Sequence, residues 1–484
     1  MRARIVCTVA LASLACASRV AAQGSFDRKL PPPVPRLAAF QPPAWSRTTL
    51  PNGAELIVSE RHGLPLVAVT IAFQGGANQF EPADKRGVAT FAASMLSEGT
   101  TTRTGDQLSE ALQLLGANIT SGVAGESGSI GFFATKDKLA PVLAILADEL
   151  LHPTFPADAL ERLRARTLVA LQQQRDQTGV VAVNVFARTV YGDAHPYGRV
   201  LTAATVKAIT RDDIVAFHKM FYQPGRAIIT VVGDVDPSAV RATIGKALSQ
   251  WKAGGEKATF AYPALATARA TTIYLVDKPG AAQSSFAIGQ PGPPRDTRDY
   301  FPLQVMNTIL GVLFQSRLNA NIREVHGYSY GVGSSYAYGK GPGAFRAGGD
   351  IVTAKSDSAL IEFVKELRGV QGGRPFTDEE LRQAKDALIQ RLPQSFGSVL
   401  GTSGQIGALY LQGLPEDYFR TYAANVEAVT KDDLVRVAKQ YIDLDHLAIV
   451  IVGDRTTIDA PLKATGIAPI VLLDLDGNPV TGGP

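Results

Sequence analysis

The chain has 484 residues, which is too long for one average domain and suits two or more. Hydrophobic residues make up 45% and charged residues 19%, a balance typical of a globular protein with large cores. The formal net charge is only +4, and no block of basic residues indicates a nucleic-acid partner. Composition therefore favours a globular protein of at least two domains and argues against nucleic-acid binding.

Residues 1–22 have the pattern of a secretory signal peptide. A positively charged start precedes a short apolar run at residues 5–17, and small residues end at a cut between Ala22 and Gln23. Neither this run nor any later stretch is long and apolar enough to span a bilayer. We therefore expect a secreted, periplasmic protein without a transmembrane segment. Loss of the three leader arginines takes its net charge from +4 to about +1.

Both cysteines, Cys7 and Cys16, lie inside this leader, so we expect a mature chain with neither a disulfide nor thiol chemistry. Alternatively, Cys16 is a lipid attachment site, although the residues before it match the usual lipoprotein signal poorly. Residues 23–44 follow as a proline-rich spacer, because proline favours extended backbone and blocks helix. A proline-rich ligand for a partner protein is the second interpretation of this segment.

The first domain is expected over residues 45–251. Leu66–Phe73 is a continuous apolar run, typical of a buried strand. Thr104–Leu115 is predicted as a helix that begins at a threonine cap and has apolar residues at helical spacing. Two longer helices are predicted at Lys136–Leu151 and Asp158–Asp176. Strands and helices thus alternate irregularly, which indicates a mostly antiparallel sheet with helices packed on one face.

The second half of the chain repeats the first. Thr210–Ile214 returns as Thr430–Leu434, and Val232–Asp234 returns as Val452–Asp454, both 220 residues later. In each copy a threonine precedes acidic residues that favour the first turn of a helix, and an apolar strand follows. The sequence therefore predicts an α+β protein with two homologous domains.

The remaining boundaries follow from composition. Residues 252–270 are rich in glycine, alanine and lysine and are predicted as the linker between the domains. The second domain is expected over residues 271–460. Residues 461–484 are predicted as a loose tail that ends in glycine and proline.

Metal ligands are not apparent in the sequence. No two histidines lie three to five residues apart, so no single helix or hairpin offers a pair of them. The histidines are His62, His152, His195, His218, His326 and His446. A site assembled from distant residues stays open, but ordinary core or loop histidines are the simpler interpretation. We expect no metal in this chain.

The segment from residue 86 to residue 100 is similar to the zinc helix of the pitrilysin/insulinase peptidases, whose core reads G-x-A-H-F-x-E-H-M-L-x-x-G-T. The frame that this chain shares consists of Gly87, Ala89, Phe91, Met95, Leu96, Gly99 and Thr100. The resemblance places Thr90 and Ser94 where the family has its zinc-binding histidines, and Ala93 where it has the glutamate base. It places Ala170 where the third ligand would stand. It thus implies the peptidase fold with a degenerate zinc site at these four positions.

A second resemblance lies between residues 316 and 330, which are similar to the S-R-L…R-E-x-x-G-x-x-Y segment of the same family. In relatives, the arginine and the tyrosine seven residues later reach the substrate from the second domain. The resemblance assigns these roles to Arg323 and Tyr330. A guanidinium and a phenol are suitable donors to a carbonyl oxygen that gains charge. Outside this context, the two residues would be a surface ion pair and a strand residue.

A third family feature is an edge strand beside the zinc helix, to which a peptide substrate adds as an extra strand. The matching segment begins at Gly116, Ala117 and Asn118, which are candidate substrate-binding residues. Some members of the family are heterodimers in which one chain carries the zinc motif and the other carries the Arg/Tyr pair.

The resemblance therefore implies a metal-free subunit that shares a peptide chamber with a homologous, zinc-bearing peptidase subunit. On its own the chain is expected to be inactive. The alternatives are a catalytically dead structural scaffold, a homodimeric peptide-binding protein, and an enzyme with an unrecognised site.

Overall fold

The computed structural model describes residues 40–255 and 260–480. The predicted signal peptide and residues 23–39 of the predicted spacer lie outside the described residues, as do the last four residues of the chain. The described residues from Gln41 onward form one compact unit. In this part of the chain, no helix is both long enough and apolar enough to cross a membrane.

The first half forms a six-stranded sheet in the order β1-β2-β6-β3-β5-β4. Its strands are β1 (Ser46–Thr49), β2 (Glu55–Glu60), β3 (Leu66–Gln74), β4 (Asn118–Ala124), β5 (Ser127–Thr135) and β6 (Ala227–Gly233). All neighbours pair antiparallel except β2 and β6, which are parallel. β6 is buried along its whole length because strands flank it on both sides and helices cover both of its faces.

Helices of the first half connect these strands. They are α1 (Ala77–Phe80), α2 (Val88–Ser94), α3 (Gly105–Leu114), α4 (Leu139–Leu151), α5 (Ala157–Gln174), α6 (Thr178–Tyr191), α7 (Ala203–Ala208), α8 (Arg211–Phe221) and α9 (Pro237–Ala247). The predicted helices at 104–115, 136–151 and 158–176 correspond to α3, α4 and α5. Thr104 caps α3 as predicted, because its side chain accepts a hydrogen bond from the N–H of Gln107.

The second half forms an equivalent six-stranded sheet in the order β12-β7-β11-β8-β10-β9. Its strands are β7 (Thr272–Asp277), β8 (Gln283–Pro291), β9 (Ser329–Ala337), β10 (Ala344–Val352), β11 (Ala448–Gly453) and β12 (Ile470–Leu473). Three neighbouring pairs are antiparallel, and β7 pairs parallel with both β11 and β12.

The helices of the second half follow the same plan. They are α10 (Tyr300–Asn307), α11 (Ser356–Arg368), α12 (Asp378–Ser395), α13 (Val399–Leu411), α14 (Tyr418–Glu427), α15 (Lys431–Tyr441) and α16 (Arg455–Ala464). Wider, π-helical turns occur at Thr308–Val312, Asn319–Val325 and Gly369–Gly373. The structure confirms the predicted α+β fold of two homologous domains with mostly antiparallel sheets.

The duplication is visible at the helix caps. Thr210 and Thr430 begin α8 and α15, and each side chain accepts a hydrogen bond from the N–H of an aspartate three residues later, Asp213 or Asp433. Each of these helices leads into the central part of a sheet, at β6 or β11.

One helix from each half packs against the sheet of the other half. Helix α6, from the first half, packs on β8 and β11, whereas α13, from the second half, packs on β3 and β6. Val181 and Phe186 of α6 share a buried apolar cluster with Tyr274, Val450 and Leu473. Each sheet therefore has helices on both faces, which the sequence pattern did not predict.

The predicted loose tail is wrong for residues 461–473. Helix α16 continues for most of a turn beyond Pro461, and β12 then adds a parallel strand beside β7. Leu462 and Leu473 are buried, so this segment is held by the core of the second half. The described residues of the predicted linker, 252–255 and 260–270, contain neither helix nor strand.

Candidate functional site

Helix α2, which carries the degenerate zinc motif, is firmly anchored. Gly87 begins it with φ of 108°, a left-handed conformation that favours glycine. Oε1 of Glu81 accepts hydrogen bonds from the N–H groups of Gly87 and Ala89 at 3.0 and 2.8 Å, while its Oε2 pairs with Arg86 at 2.8 Å. Burial raises the pKa of Glu81, although Arg86 opposes the shift. The helix is thus capped by a buried carboxylate.

The four degenerate positions hold no zinc ligand. Thr90 and Ser94 are exposed on α2, Ala93 is buried, and Ala170 is exposed on α5. The hydroxyl of Thr90 donates to the carbonyl of Val123 at 3.3 Å, so it is engaged by β4. Across residues 40–255 and 260–480, no group of three histidine, cysteine or acidic side chains is arranged to hold a metal ion.

Strand β4 forms one edge of the first sheet and packs against α2. The strand begins at Asn118. Gly116 and Ala117 were predicted to belong to this edge strand, but they precede it. Gly116 has φ of 62° and ends helix α3, and the N–H of Ala117 bonds back to the carbonyl of Leu112 at 3.0 Å. Of the three candidate substrate-binding residues, only Asn118 lies on an edge where a peptide could add.

The second sheet has an equivalent edge, and this edge carries Arg323 and Tyr330. Arg323 lies on the π-helical segment Asn319–Val325, which packs against β9 as α2 packs against β4. Tyr330 lies on β9 itself, which is the edge strand. The structure therefore places the two predicted residues on adjacent elements at one sheet edge.

The two side chains differ in exposure, since Arg323 is partly buried and its side chain is 31% exposed. Tyr330 is 90% exposed. The guanidinium carbon of Arg323 lies 4.2 Å from the ring centroid of Phe314, and its Nε lies 3.4 Å from the carboxylate of Glu324. Cation–π contact with Phe314 and the ion pair with Glu324 thus orient the guanidinium at the surface.

Exposed apolar side chains accompany the pair. Val312, Phe314 and Val325 are 49%, 64% and 76% exposed. Val312 and Val325 lie on π-helical segments that both pack against β9. We call these three residues, together with Arg323 and Tyr330, the Arg/Tyr face. Apolar residues concentrated on a surface in this way are typical of an interaction site.

Arg317, six residues before Arg323, is buried and tied to helix α12 and the loop before it. Its side chain is 1% exposed, and its Nε donates to Glu380 at 2.8 Å. Further hydrogen bonds run from its guanidinium to the carbonyl groups of Arg374 and Pro375, both at 3.0 Å. Burial would raise the pKa of Glu380, but hydrogen bonds from Arg317 and Thr377, with the charge of Arg317, outweigh it and lower the pKa to about 2. Arg317 is therefore a structural anchor.

A polar contact between the halves was missed by the sequence analysis. Glu126, in the turn between β4 and β5, accepts hydrogen bonds from the hydroxyls of Tyr197 and Tyr262. Its second oxygen accepts the N–H of Lys340 at 2.6 Å, in the turn between β9 and β10. We call this contact the Glu126 clasp. The only local signal was the segment His195-Pro196-Tyr197-Gly198, which contains one of its members.

The duplicated fold and a zinc-motif helix without ligands fit an inactive metallopeptidase homologue. Two family descriptions match the chain: "Insulinase (Peptidase family M16)" over residues 56–198 and "Peptidase M16 inactive domain" over residues 208–388. The chain belongs to the M16 insulinase family, as the motifs predicted.

Individual relatives agree with this assignment. An uncharacterized zinc protease of Mycobacterium leprae is 26% identical over 346 residues, which are 71% of this chain and 77% of the relative. A non-peptidase homologue of Helicobacter pylori is 23% identical over 410 residues, 83% of this chain and 92% of the relative. The crystal structure of a peptidase M16 inactive domain from Pseudomonas fluorescens superposes with a TM-score of 0.78 at 26% identity. The superposition covers 85% of this chain and 98% of the Pseudomonas fluorescens chain.

Proposed function

We propose that this chain is the non-catalytic, metal-free subunit of a secreted or periplasmic heterodimeric zinc peptidase. It supplies Arg323, Tyr330 and half of a peptide-binding chamber to a homologous subunit that carries the zinc. The observation that carries the proposal is the exposure of the Arg/Tyr face. Arg323 and Tyr330, which can both donate hydrogen bonds, lie at an open sheet edge. Exposed apolar side chains lie on the same face, and a partner would cover them.

The proposed division of labour follows from the side chains. With hydroxyls and alanines at the motif positions, the chain has no group there to bind zinc or to accept a proton from water. The water that attacks the peptide carbonyl would be activated on the partner's metal. Arg323 and Tyr330 would donate hydrogen bonds to the oxygen that gains negative charge, an interaction worth about 10²–10³-fold in rate for one donor elsewhere.

The edges β4 and β9 would contribute the chamber wall. A peptide in extended conformation satisfies its backbone by pairing with an unpaired strand edge, without requiring a particular sequence. Such binding suits a peptidase for unfolded peptides. Export to the periplasm is proposed from the leader at residues 1–22.

The test is reconstitution with a zinc-bearing homologue. The mature chain and the homologue are purified separately and together, and cleavage of a quenched fluorescent peptide is measured. We expect activity only in the mixture. Arg323→Ala and Tyr330→Phe should each lower kcat about 100-fold, and Tyr330→Phe should leave assembly unchanged because it keeps the aromatic ring.

Arg241→Ala is the matched control, since Arg241 is exposed on α9 in the first half, and α9 packs against α4 and β2. Size-exclusion chromatography reports whether each variant still forms the complex. Full activity of both Arg323→Ala and Tyr330→Phe in an intact complex would favour the structural scaffold. A homodimer that binds peptide without the homologue would favour the peptide-binding alternative, and zinc-dependent cleavage by the lone chain would refute the proposal.

A further inference from the structure

A cavity of about 750 Å³ lies between the two halves, apart from the Arg/Tyr face. Its walls come from both halves: helix α6 and the turn between β4 and β5 on one side, and β9, β10 and the end of α13 on the other. Cavities of 300–1,000 Å³ accommodate small organic ligands, and domain interfaces are common places for them. The size and position of this cavity are therefore those of a ligand site.

Much of the wall is apolar and aromatic. Val183, Phe186 and Tyr191 line it from α6, Leu411 lines it from α13, and Tyr338 lines it from the second half. Phe186 and Tyr191 are themselves almost fully buried, which fixes their rings in place. A ligand body that is flat or apolar would contact these residues with little reorganisation.

Arg346 is a charged group of this wall that lacks a counter-ion among the described residues. It lies on β10, on the same face of the strand as Ala344, which packs in the cluster with α6. Within residues 40–255 and 260–480, its guanidinium has neither a carboxylate within 4.0 Å nor a hydrogen-bond partner. Burial lowers its pKa from the ordinary value, and no neighbouring acid opposes the shift. An uncompensated, half-buried cation costs the fold stability unless an anion joins it.

The other charged groups of the wall do not neutralise Arg346. Glu126 is occupied by the clasp. Arg86 is already paired with Glu81. Lys340 and Arg295 add further cations. The guanidinium carbon of Arg295 lies 3.5 Å from the ring centroid of Tyr300, and its Nη2 donates to the hydroxyl of Tyr418 at 3.0 Å. The cavity therefore combines an apolar body with an excess of positive charge.

We propose that this cavity binds an organic carboxylate with an aromatic or apolar body, with the carboxylate on Arg346. The planar guanidinium matches a carboxylate with two parallel hydrogen bonds. The site does not depend on the proposed subunit role, since none of its residues belongs to the Arg/Tyr face. The carboxylate could be a free small acid or the C-terminus of a peptide, which present the same group.

The test uses dansyl-phenylalanine and its carboxamide, two fluorescent probes that differ only in the negative charge. The mature chain is titrated with each, and fluorescence gives the Kd. We expect the acid to bind with one-to-one stoichiometry and the amide to bind roughly 10- to 100-fold more weakly, as for other charge-assisted hydrogen bonds. Arg346→Met should remove this preference, while Arg346→Lys should keep part of it.

Arg241→Met is the control, because Arg241 is exposed on α9 and outside the cavity. Thermal melting checks the fold of Arg346→Met, which should be at least as stable as the wild type. A longer probe, dansyl-Gly-Gly-Phe, distinguishes the sources: tighter binding than the amino acid indicates a peptide C-terminus, and weaker binding indicates a small acid. Equal binding of acid and amide, or an unchanged preference in Arg346→Met, would overturn the proposal.

Discussion

Glu149 should make the stability of this protein fall as the pH rises through neutrality. It lies on α4 and is 1% exposed, and its Oε1 has no hydrogen-bond partner among the described residues. Burial, with a smaller contribution from the charge of Asp148, raises its pKa from 4.5 to about 7. The carboxyl group is therefore largely protonated in the folded protein at a pH where it is ionised in the unfolded chain.

The sign and size of this change in stability follow from proton linkage. The folded state binds this proton more tightly, so its stabilising effect is complete below pH 4.5 and is lost as the pH rises through 7. Each unit of difference between the folded and unfolded pKa corresponds to about 1.36 kcal/mol. The loss of unfolding free energy above pH 7 is therefore about 3 kcal/mol. Glu149→Gln keeps the shape of the protonated acid and cannot ionise. It should match the wild type near pH 4.5 and exceed its unfolding free energy by about 3 kcal/mol at pH 8.

Urea denaturation of both proteins at half-unit steps between pH 4.5 and pH 8 measures this difference. The wild-type curve alone is not diagnostic because other groups titrate, but they cancel in the difference between the two proteins. Glu110→Gln, on the exposed face of α3, controls for the loss of one negative charge. A constant difference between Glu149→Gln and the wild type across this range would refute the reasoning.

Three further predictions concern other parts of the fold. Arg317→Ala removes a buried guanidinium from Glu380 and from two backbone carbonyl groups, leaving Glu380 with Thr377 and a longer ion pair to Arg374 at 3.6 Å, and should lower the unfolding free energy by about 3 kcal/mol in urea; a loss below 1 kcal/mol would contradict its role as an anchor. Glu126→Gln should speed hydrogen exchange of the turn between β9 and β10 several-fold, because an amide cannot replace all three acceptor contacts of the clasp. The double variant Thr90→His, Ser94→His should lower the unfolding free energy by at most about 1 kcal/mol, since both positions are exposed and Thr90 loses one hydrogen bond to the carbonyl of Val123, and calorimetry with zinc would show whether two histidines suffice for binding.

Much of the fold was predictable because the duplicated signals are local. Thr210 and Thr430 each precede an acid three residues later, and that pattern specifies a helix start wherever it occurs. The segment that was missed, β12, is a short apolar run just after a helix that contains Pro461. Proline suggested a break, and four apolar residues cannot by themselves be assigned to a strand. Ile470–Leu473 becomes a strand because it can pair with the open edge of β7.

The site was predictable only in part, for a related reason. Arg323 and Tyr330 lie seven residues apart within one motif, so a resemblance could assign both. Glu126 and Lys340 are 214 residues apart and meet only because the two halves pack together. Arg346 gives no signal in sequence at all, because its lack of a partner is a property of the folded surroundings.

The frame of the zinc helix can survive without the two histidines because frame and histidine positions lie on different sides of this segment, although Ala93, at the glutamate position, is buried. The frame residues Phe91, Met95 and Leu96 are at most 2% exposed and belong to the core of the first half. Thr90 and Ser94, at the histidine positions, lie on the exposed face of the helix. Loss of the ligands therefore removes no core packing, whereas a change at Phe91 would open a cavity worth about 3–5 kcal/mol. The histidine positions can thus change without loss of the fold, and the frame stays because the fold requires it.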